Sequence, residues 1–412
     1  MHCEILIIGA GAVGVSSALW LRNRGHDVRL LDAEGVATGA TFGNASTLSE
    51  YACTPVAQPG IWGSMPRLLF SSESPFVIRW PSLPRLLPCL LRFMGQCTTT
   101  RYRENAEALS TLLSRTYEGY EPLLEAAPAA RALMTNNGCL YSYASAKNLQ
   151  QAAADIQMRE RLGVHQQVLD RAGIEALEPA MAGKTAGGVW FPDSCHLTDP
   201  AEFIKQLATP LYIEQRIEQA RVTRLELQSS GVLVTGSDRR QWRAERLILA
   251  AGAWSAELAR QLGDRFPLEA ERGYHIEFDL DRQPLSRPTC PVENAFYMTP
   301  MADGRLRAAG TVELSSRQRP LNPARLRYIE KHVRRVLEID APVARSWLGF
   351  RPTLPDYLPV IGRSPRTDRV IYAFGHQHLG LTLAGITGEL VADCIDGRDA
   401  QSLAAFSPRR FT

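Results

Sequence analysis

The sequence predicts an α/β protein: a buried, mostly parallel sheet flanked by helices, joined to a second α+β domain built on an antiparallel sheet. Three observations carry the prediction. Residues 4–32 read as strand, glycine turn, helix and strand. A second apolar run, LILAAGAWS at 247–255, passes into a turn of small residues. Residues 266–345 hold short alternating strands with their own helix.

A chain of 412 residues exceeds one ordinary core, so two domains are expected. A hydrophobic content of 45% with 22% charged residues is that of a globular protein. The net charge of +3 gives no reason to expect nucleic acid. Eight cysteines occur without a C-x-x-C pair, which argues against a metal site and for reduced thiols in a cytosolic setting. The apolar N-terminus carries Glu4 and lacks a basic flank, so no signal peptide is expected. No run reaches the ~18 apolar residues of a membrane span.

The first element sets the rest. Ile5 to Ile8 is apolar and rich in β-branched residues, as in a strand buried on both faces. Gly9, Gly11 and Gly14 follow at G-x-G-x-x-G spacing, with Val13 inside the turn. Gly9 permits the tight turn, Gly11 lets backbone approach a pyrophosphate, and Gly14 lets the helix press on the strand. The phosphates would sit at the helix N-terminus. Asp32 ends the second strand, 18 residues after Gly14, where an acid accepts ribose hydroxyls. The unit therefore predicts a dinucleotide, flavin or nicotinamide.

Next, residues 33–51 form a loop dense in Gly, Thr, Ser and Asn, suited to lining a cofactor. Residues 57–97 are cut by six prolines into apolar pieces carrying single arginines. Such pieces can lie on a membrane, dock a partner or cover a core. Residues 101–134 are helical in period, as are 148–162. Asp199 or Thr198 caps a helix at 197–207, and Ser229 to Gly231 joins two hairpin strands. Near the end, a strand closes at Gly375 and a helix is expected from about Gly380, its N-terminus suited to partial negative charge.

Five segments in order carry a resemblance: GAGAVGVSSALWLRNRGHDVRLLD, TFGNAS, LILAAGAWS, GFRPTLPDYLPVIG and GHQHLGLTLA. Together they resemble the FAD-dependent D-amino acid oxidase superfamily, and most of all its bacterial D-amino acid dehydrogenase branch. The resemblance covers nearly the whole chain. It implies an FAD-binding Rossmann-like domain of the glutathione-reductase type over 1–50, 196–262 and 346–412. A substrate domain would occupy 51–195 and 263–345.

The resemblance implies non-covalent FAD, since Thr353 and Leu354 stand where covalent members place a cysteine. Thr41, Asn44, Ala45 and Ser46 would pass near the flavin ring, and Ala251 and Gly252 near the cofactor's middle. Gly375, His378, Leu379, Gly380, Leu381 and Thr382 would face the flavin pyrimidine. The loop departs from the family pattern at Ser46, where a glycine after Asn-Ala is usual.

Arg351, in GFRP, falls where members bind the substrate carboxylate; its other reading is a structural salt bridge to Asp356. Tyr297 would assist, with Arg272, Tyr274 and His275 lining the pocket and Tyr51 acting from an access loop. His376 flanks the flavin-facing turn, where a structural role is the commoner one. Hydride transfer to flavin needs no fixed general base if the amine binds neutral, so none is assigned.

The implied activity is dehydrogenation of a D-amino or D-imino acid. The GHQHLGLT turn favours D-proline or cis-4-hydroxy-D-proline, with electrons passing to a quinone or another redox partner. Two other readings stay open: an oxygen-using amine oxidase of the sarcosine or glycine type, and a flavoprotein subunit of a multi-chain complex. The location expected is cytoplasmic, with peripheral contact on the inner membrane face left open through 57–97.

Overall fold

A computed structural model describes residues 2–61, 74–398 and 401–412. The first sheet has eight strands among these residues. Its parallel centre places Ile217–Gln219, Val28–Asp32, His2–Ile8, Gln241–Leu249 and Val370–Phe374 side by side. The hairpin Val222–Gln228 and Gly231–Gly236 extends it antiparallel beside Gln241–Leu249.

Burial on both faces explains the unbroken apolar strands. Ile5 and Ile7 pack into one core, with the helices Ala12–Asn23 and Ala384–Ile395. Leu6 and Ile8 pack into the other, with Leu247, Leu249 and Tyr372. This is the period-2 alternation of a strand sandwiched between layers.

The glycine turn is fixed by close approach. Gly9 has φ of +106°, and a Cβ there would lie 2.4 Å from the Ala250 carbonyl oxygen. A Cβ on Gly14 would lie 1.8 Å from the Gly9 carbonyl oxygen, so the helix docks on the turn only if this position is glycine.

The second sheet has nine strands among the described residues. Its main order runs Val343–Thr353, Glu269–Asp279, Arg305–Leu314, Phe296–Pro300, Thr289–Pro291, Cys139–Tyr143, Gly187–Phe191 and Gln167–Asp170. The helix Pro323–Leu337 covers one face through Tyr328, Ile329 and Val333, against Tyr274, Ile276 and Phe278. The expected boundary at 345/346 falls inside Val343–Thr353, which pairs along its length with Glu269–Asp279. That strand carries the chain from the second sheet back to the first.

Part of the proline-cut stretch, 62–73, lies outside the described residues. Beyond it, Phe76–Ile78 adds to Arg305–Leu314, and Leu83–Gln96 is a helix with Pro88 inside it. No helix among the described residues is long and apolar enough to cross a membrane.

Gly14→Ala is expected to lower the unfolding free energy by about 1–3 kcal/mol or more, because the methyl cannot enter without moving the helix. Gly95→Ala, on a helix position with nothing within 4 Å, is expected to raise it by about 0.5–1 kcal/mol. Denaturant unfolding of the two variants should move in opposite directions.

Candidate functional site

Between the two sheets lies one cavity of about 1200 Å³. That exceeds the roughly 300–1,000 Å³ of ordinary ligand pockets and leaves space for a dinucleotide plus a small molecule. Gly9, Gly11, Val13 and Asp32 line one end, and Thr41, Asn44, Ala45, Ala251 and Gly252 follow. Gly375, His376, His378, Gly380 and Leu381 line it further on, with Arg351 and Tyr297.

The nucleotide end is preformed. Gly11 begins the helix, and a Cβ there would meet only Thr41 Oγ1 at 3.5 Å. Thr41 Oγ1 also accepts from Ala12 N at 3.1 Å, meeting one of the N–H groups that a first turn leaves without helical partners. Asp32 holds the turn as well as facing the cavity. Its Oδ2 accepts from Ala10 N at 2.8 Å, and its Oδ1 from Glu34 N and Gly35 N at 2.9 and 3.0 Å. Both acceptor sites of Oδ1 are thereby filled, and Oδ2 keeps one lone pair for a ribose hydroxyl.

The loop at 42–46 is held from the other sheet, by a device that sequence reasoning missed. Arg307 Nη1 donates to the carbonyls of Phe42 and Asn44 at 3.0 and 3.2 Å and to Ser46 Oγ at 3.3 Å. Its charge is balanced by Glu277, 2.7 Å away. Burial opposes ionisation of Glu277, but Arg307 and its neighbours hold the carboxyl at about 2. The available signal was an acid inside the apolar strand Tyr274 to Phe278. Ser46, where the family usually has glycine, takes φ of +61°. Asn44 Oδ1 accepts its N–H at 2.8 Å, and Arg307 holds its hydroxyl, which steadies a serine in a glycine conformation.

Several expected pocket residues lie elsewhere. On Glu269–Asp279 the side chains alternate, so Glu269, Glu271 and Gly273 line the cavity while Arg272 and Tyr274 point to the opposite face. Arg272 is fully buried and donates to the carbonyls of Ser316, Arg319 and Pro320. Tyr274 Oη donates to Glu313. His275 is on the cavity face but is covered: its Nδ1 lies 3.0 Å from the Gly43 carbonyl oxygen, and its ring stacks on Trp347. Tyr51 is fully buried against Phe191 rather than on an access loop.

In the turn at 375–383, Leu379 belongs to the core, and Thr382 Oγ1 accepts from Ser49 N. The helix beyond it starts at Ala384, not near Gly380, so 375–383 is a turn. Ser46 and Gly14 likewise act behind the cavity wall.

Arg351 reaches across Gly273, where a Cβ would lie 2.7 Å from its Cζ. Its Nη1 donates to the Thr311 carbonyl at 2.8 Å. Asp356 pairs instead with Arg410 at 2.8 Å, so the alternative salt bridge is not formed. Burial lowers the Arg351 pKa, and Glu271 opposes that. Tyr297 Oη lies 2.7 Å from Tyr141 Oη and 3.2 Å from Tyr51 Oη. Burial pushes its phenol well above the usual value, so it stays a hydrogen-bond donor. Arg159, Tyr141, Glu271 and Trp347 also line the cavity and were not singled out from the sequence.

The FAD dependent oxidoreductase (DAO) family matches residues 4–394. The chain belongs to the DAO family. This family member uses FAD, and its turn, ribose-side acid and continuous cavity fit the cofactor.

It is 33% identical to a D-amino-acid oxidase of Bradyrhizobium diazoefficiens over 99% of both chains. It is 32% identical to a D-amino acid dehydrogenase of Paramagnetospirillum magneticum, again over 99% of both. Glycine oxidase from Geobacillus kaustophilus shares the fold, with a TM-score of 0.75, 20% identity, and coverage of 100% of this chain and 98% of that one. L-proline dehydrogenase from P. horikoshii has the same TM-score of 0.75 at 17% identity, with coverage of 100% and 98%.

Three buried histidines give this DAO member a pH signature. Desolvation lowers His196 and His275 to about 4 and His376 to about 3. His376 Nε2 lies 3.0 Å from Thr387 Oγ1, a structural contact at the start of the last long helix. Folded pKa values below the unfolded value of about 6.5 mean that the unfolded chain binds more protons as pH falls. Stability from neutral burial is therefore complete above about pH 6.5 and is lost toward pH 4, at up to about 1.4 kcal/mol per pH unit for each ring. As pH falls from 6.5 to 5, these rings lower the denaturant midpoint while Glu50, pushed up to about 8 by burial, raises it; His376→Gln should raise the midpoint at pH 5 relative to that at pH 6.5, compared with the parent protein.

Proposed function

We propose that this protein dehydrogenates a D-amino or D-imino acid. The observation that carries the reading is that Arg351 and Tyr297 face the same cavity as the nucleotide turn and the 375–381 segment. Bound FAD supplies the hydride acceptor for the substrate Cα–H. Arg351 forks onto the two oxygens of the α-carboxylate, and Tyr297 donates its Oη–H to one of them. Gly273 keeps space for the guanidinium. Leu86, Leu90 and Phe93, on the helix Leu83–Gln96, form an apolar wall that excludes water.

The substrate amine binds neutral, and no side chain is assigned as its base. Within this class the 375–382 turn favours a cyclic substrate, D-proline or cis-4-hydroxy-D-proline, giving a pyrroline carboxylate. Electrons leave to a quinone or another redox partner. The outer face of the helix region, where Trp80, Leu87 and Leu91 are exposed, supports contact with a membrane surface or a subunit beside the cavity.

Anaerobic mixing of the holoprotein with D-amino and D-imino acids should bleach the flavin spectrum, and no response to any of them sinks the reading. Arg351→Ala should weaken substrate binding on the order of 100-fold while leaving flavin bound. An unchanged affinity would remove Arg351 from the carboxylate site. Reduced protein should reoxidise slowly in air, whereas fast reoxidation favours the amine-oxidase alternative. Turnover by the isolated chain with an artificial acceptor disposes of the obligate-subunit alternative.

A further inference from the structure

A second arginine among the cavity-lining residues has unmet donors. Arg159 projects from the helix Ala153–Arg161, is 5% exposed and lines the cavity. Its Nη2 donates to Thr54 Oγ1 at 3.3 Å, but Nε and Nη1 are buried with no hydrogen-bond partner. Among the described residues it makes no ion pair within 4.0 Å. Asp155, four residues earlier on the same helix, accepts from Tyr102 Oη at 2.8 Å and from Gln58 Nε2 at 3.1 Å; it favours the Arg159 charge through space but fills neither unmet donor. The guanidinium lies 5.6 Å from the Tyr141 ring centre and 5.5 Å from that of Phe191. Those ring faces offset only part of the cost of burying a charge.

A buried cation with two unmet donors is a site for an anion, and the cavity is the space from which one can come. We infer that Arg159 binds a second carboxylate, on the side chain of the substrate. The inference rests on the amino-acid reading above and chooses within it an acidic side chain over the ring that the turn motif favours.

The placement suits one ligand touching both arginines. Arg351 reaches the Thr311 carbonyl on Arg305–Leu314, and Arg159 stands over Tyr141 on Cys139–Tyr143. Two strands, Phe296–Pro300 and Thr289–Pro291, lie between these. Three strand spacings set these two strands about 14 Å apart. Hydrogen bonds of about 2.8 Å at each end leave room for a short dicarboxylic amino acid. Tyr297 and Tyr141, with their hydroxyls 2.7 Å apart, lie along the path between them.

The test is anaerobic flavin reduction of the holoenzyme by D-aspartate, D-glutamate and D-2-aminoadipate, compared with D-asparagine, D-glutamine, D-norvaline and D-proline. At least one acid should exceed its neutral counterparts by about tenfold or more in kcat/KM. Arg159→Met should lower that acidic-to-neutral ratio on the order of 100-fold, with flavin absorbance retained.

If neutral or cyclic substrates reduce the flavin as well as the acids do, the inference is overturned and the amino-acid reading stands. If nothing in the panel reduces it, that reading falls too. A variant that loses acidic and neutral substrates alike also overturns the inference, because it places Arg159 at a feature common to all of them. Should the variant not fold, wild-type holoenzyme titrated with glutarate and with butyrate decides the matter. Glutarate should perturb the flavin spectrum at a concentration at least about tenfold lower, and equal half-saturation overturns the proposal.

Discussion

The site depends on one buried ion pair that joins the two halves of the molecule. Arg307 and Glu277 belong to the second sheet, yet the donors of Arg307 end on a loop that follows the first. Taken alone, burying both charges is costly, and the pair persists because each is satisfied twice over. Glu277 also receives Arg305, while Arg307 holds two carbonyls and a hydroxyl. His275 and Thr299 add two more contacts to the same loop, at the carbonyls of Gly43 and Ala45. A loop poor in side-chain packing thereby gains a fixed shape from polar groups supplied by its neighbour.

Local physics made much of this legible in the sequence. The glycine turn is forced because a Cβ on Gly14 would lie 1.8 Å from the Gly9 carbonyl oxygen, and such constraints leave a spacing that can be read directly. The two-faced burial of Ile5 to Ile8 likewise follows from its unbroken apolar run. Residues placed by analogy within a strand fared differently. Arg272 and Tyr274 sit one residue from cavity-lining positions, and in a strand one residue is a change of face. His275 has the right face but is covered by a loop far away in sequence, which no strand pattern encodes.

Arg159 was passed over for a similar reason. In sequence it looks like one more charge on a polar helix, following Asp155 by four residues. Only the fold shows that Asp155 accepts from Tyr102 and Gln58 rather than from Arg159, which leaves two guanidinium donors without a hydrogen bond. The proline-cut stretch was ambiguous because its helix has two apolar faces. Leu86 and Phe93 serve the interior, and Leu87 and Leu91 remain outside.

The cavity draws its walls from opposite ends of the chain, and this orders events during synthesis. Val370–Phe374 pairs with Gln241–Leu249, which pairs in turn with His2–Ile8. One neighbour of His2–Ile8, Val28–Asp32, follows it closely, whereas the neighbour on its other side, Gln241–Leu249, follows more than 200 residues later and the turn at 375–383 later still. At about 5–20 residues per second, His2–Ile8 waits many seconds for its second partner. During that interval the edge of His2–Ile8 opposite Val28–Asp32 is exposed, and the nascent chain depends on holding that edge apart from other chains until Gln241–Leu249 arrives.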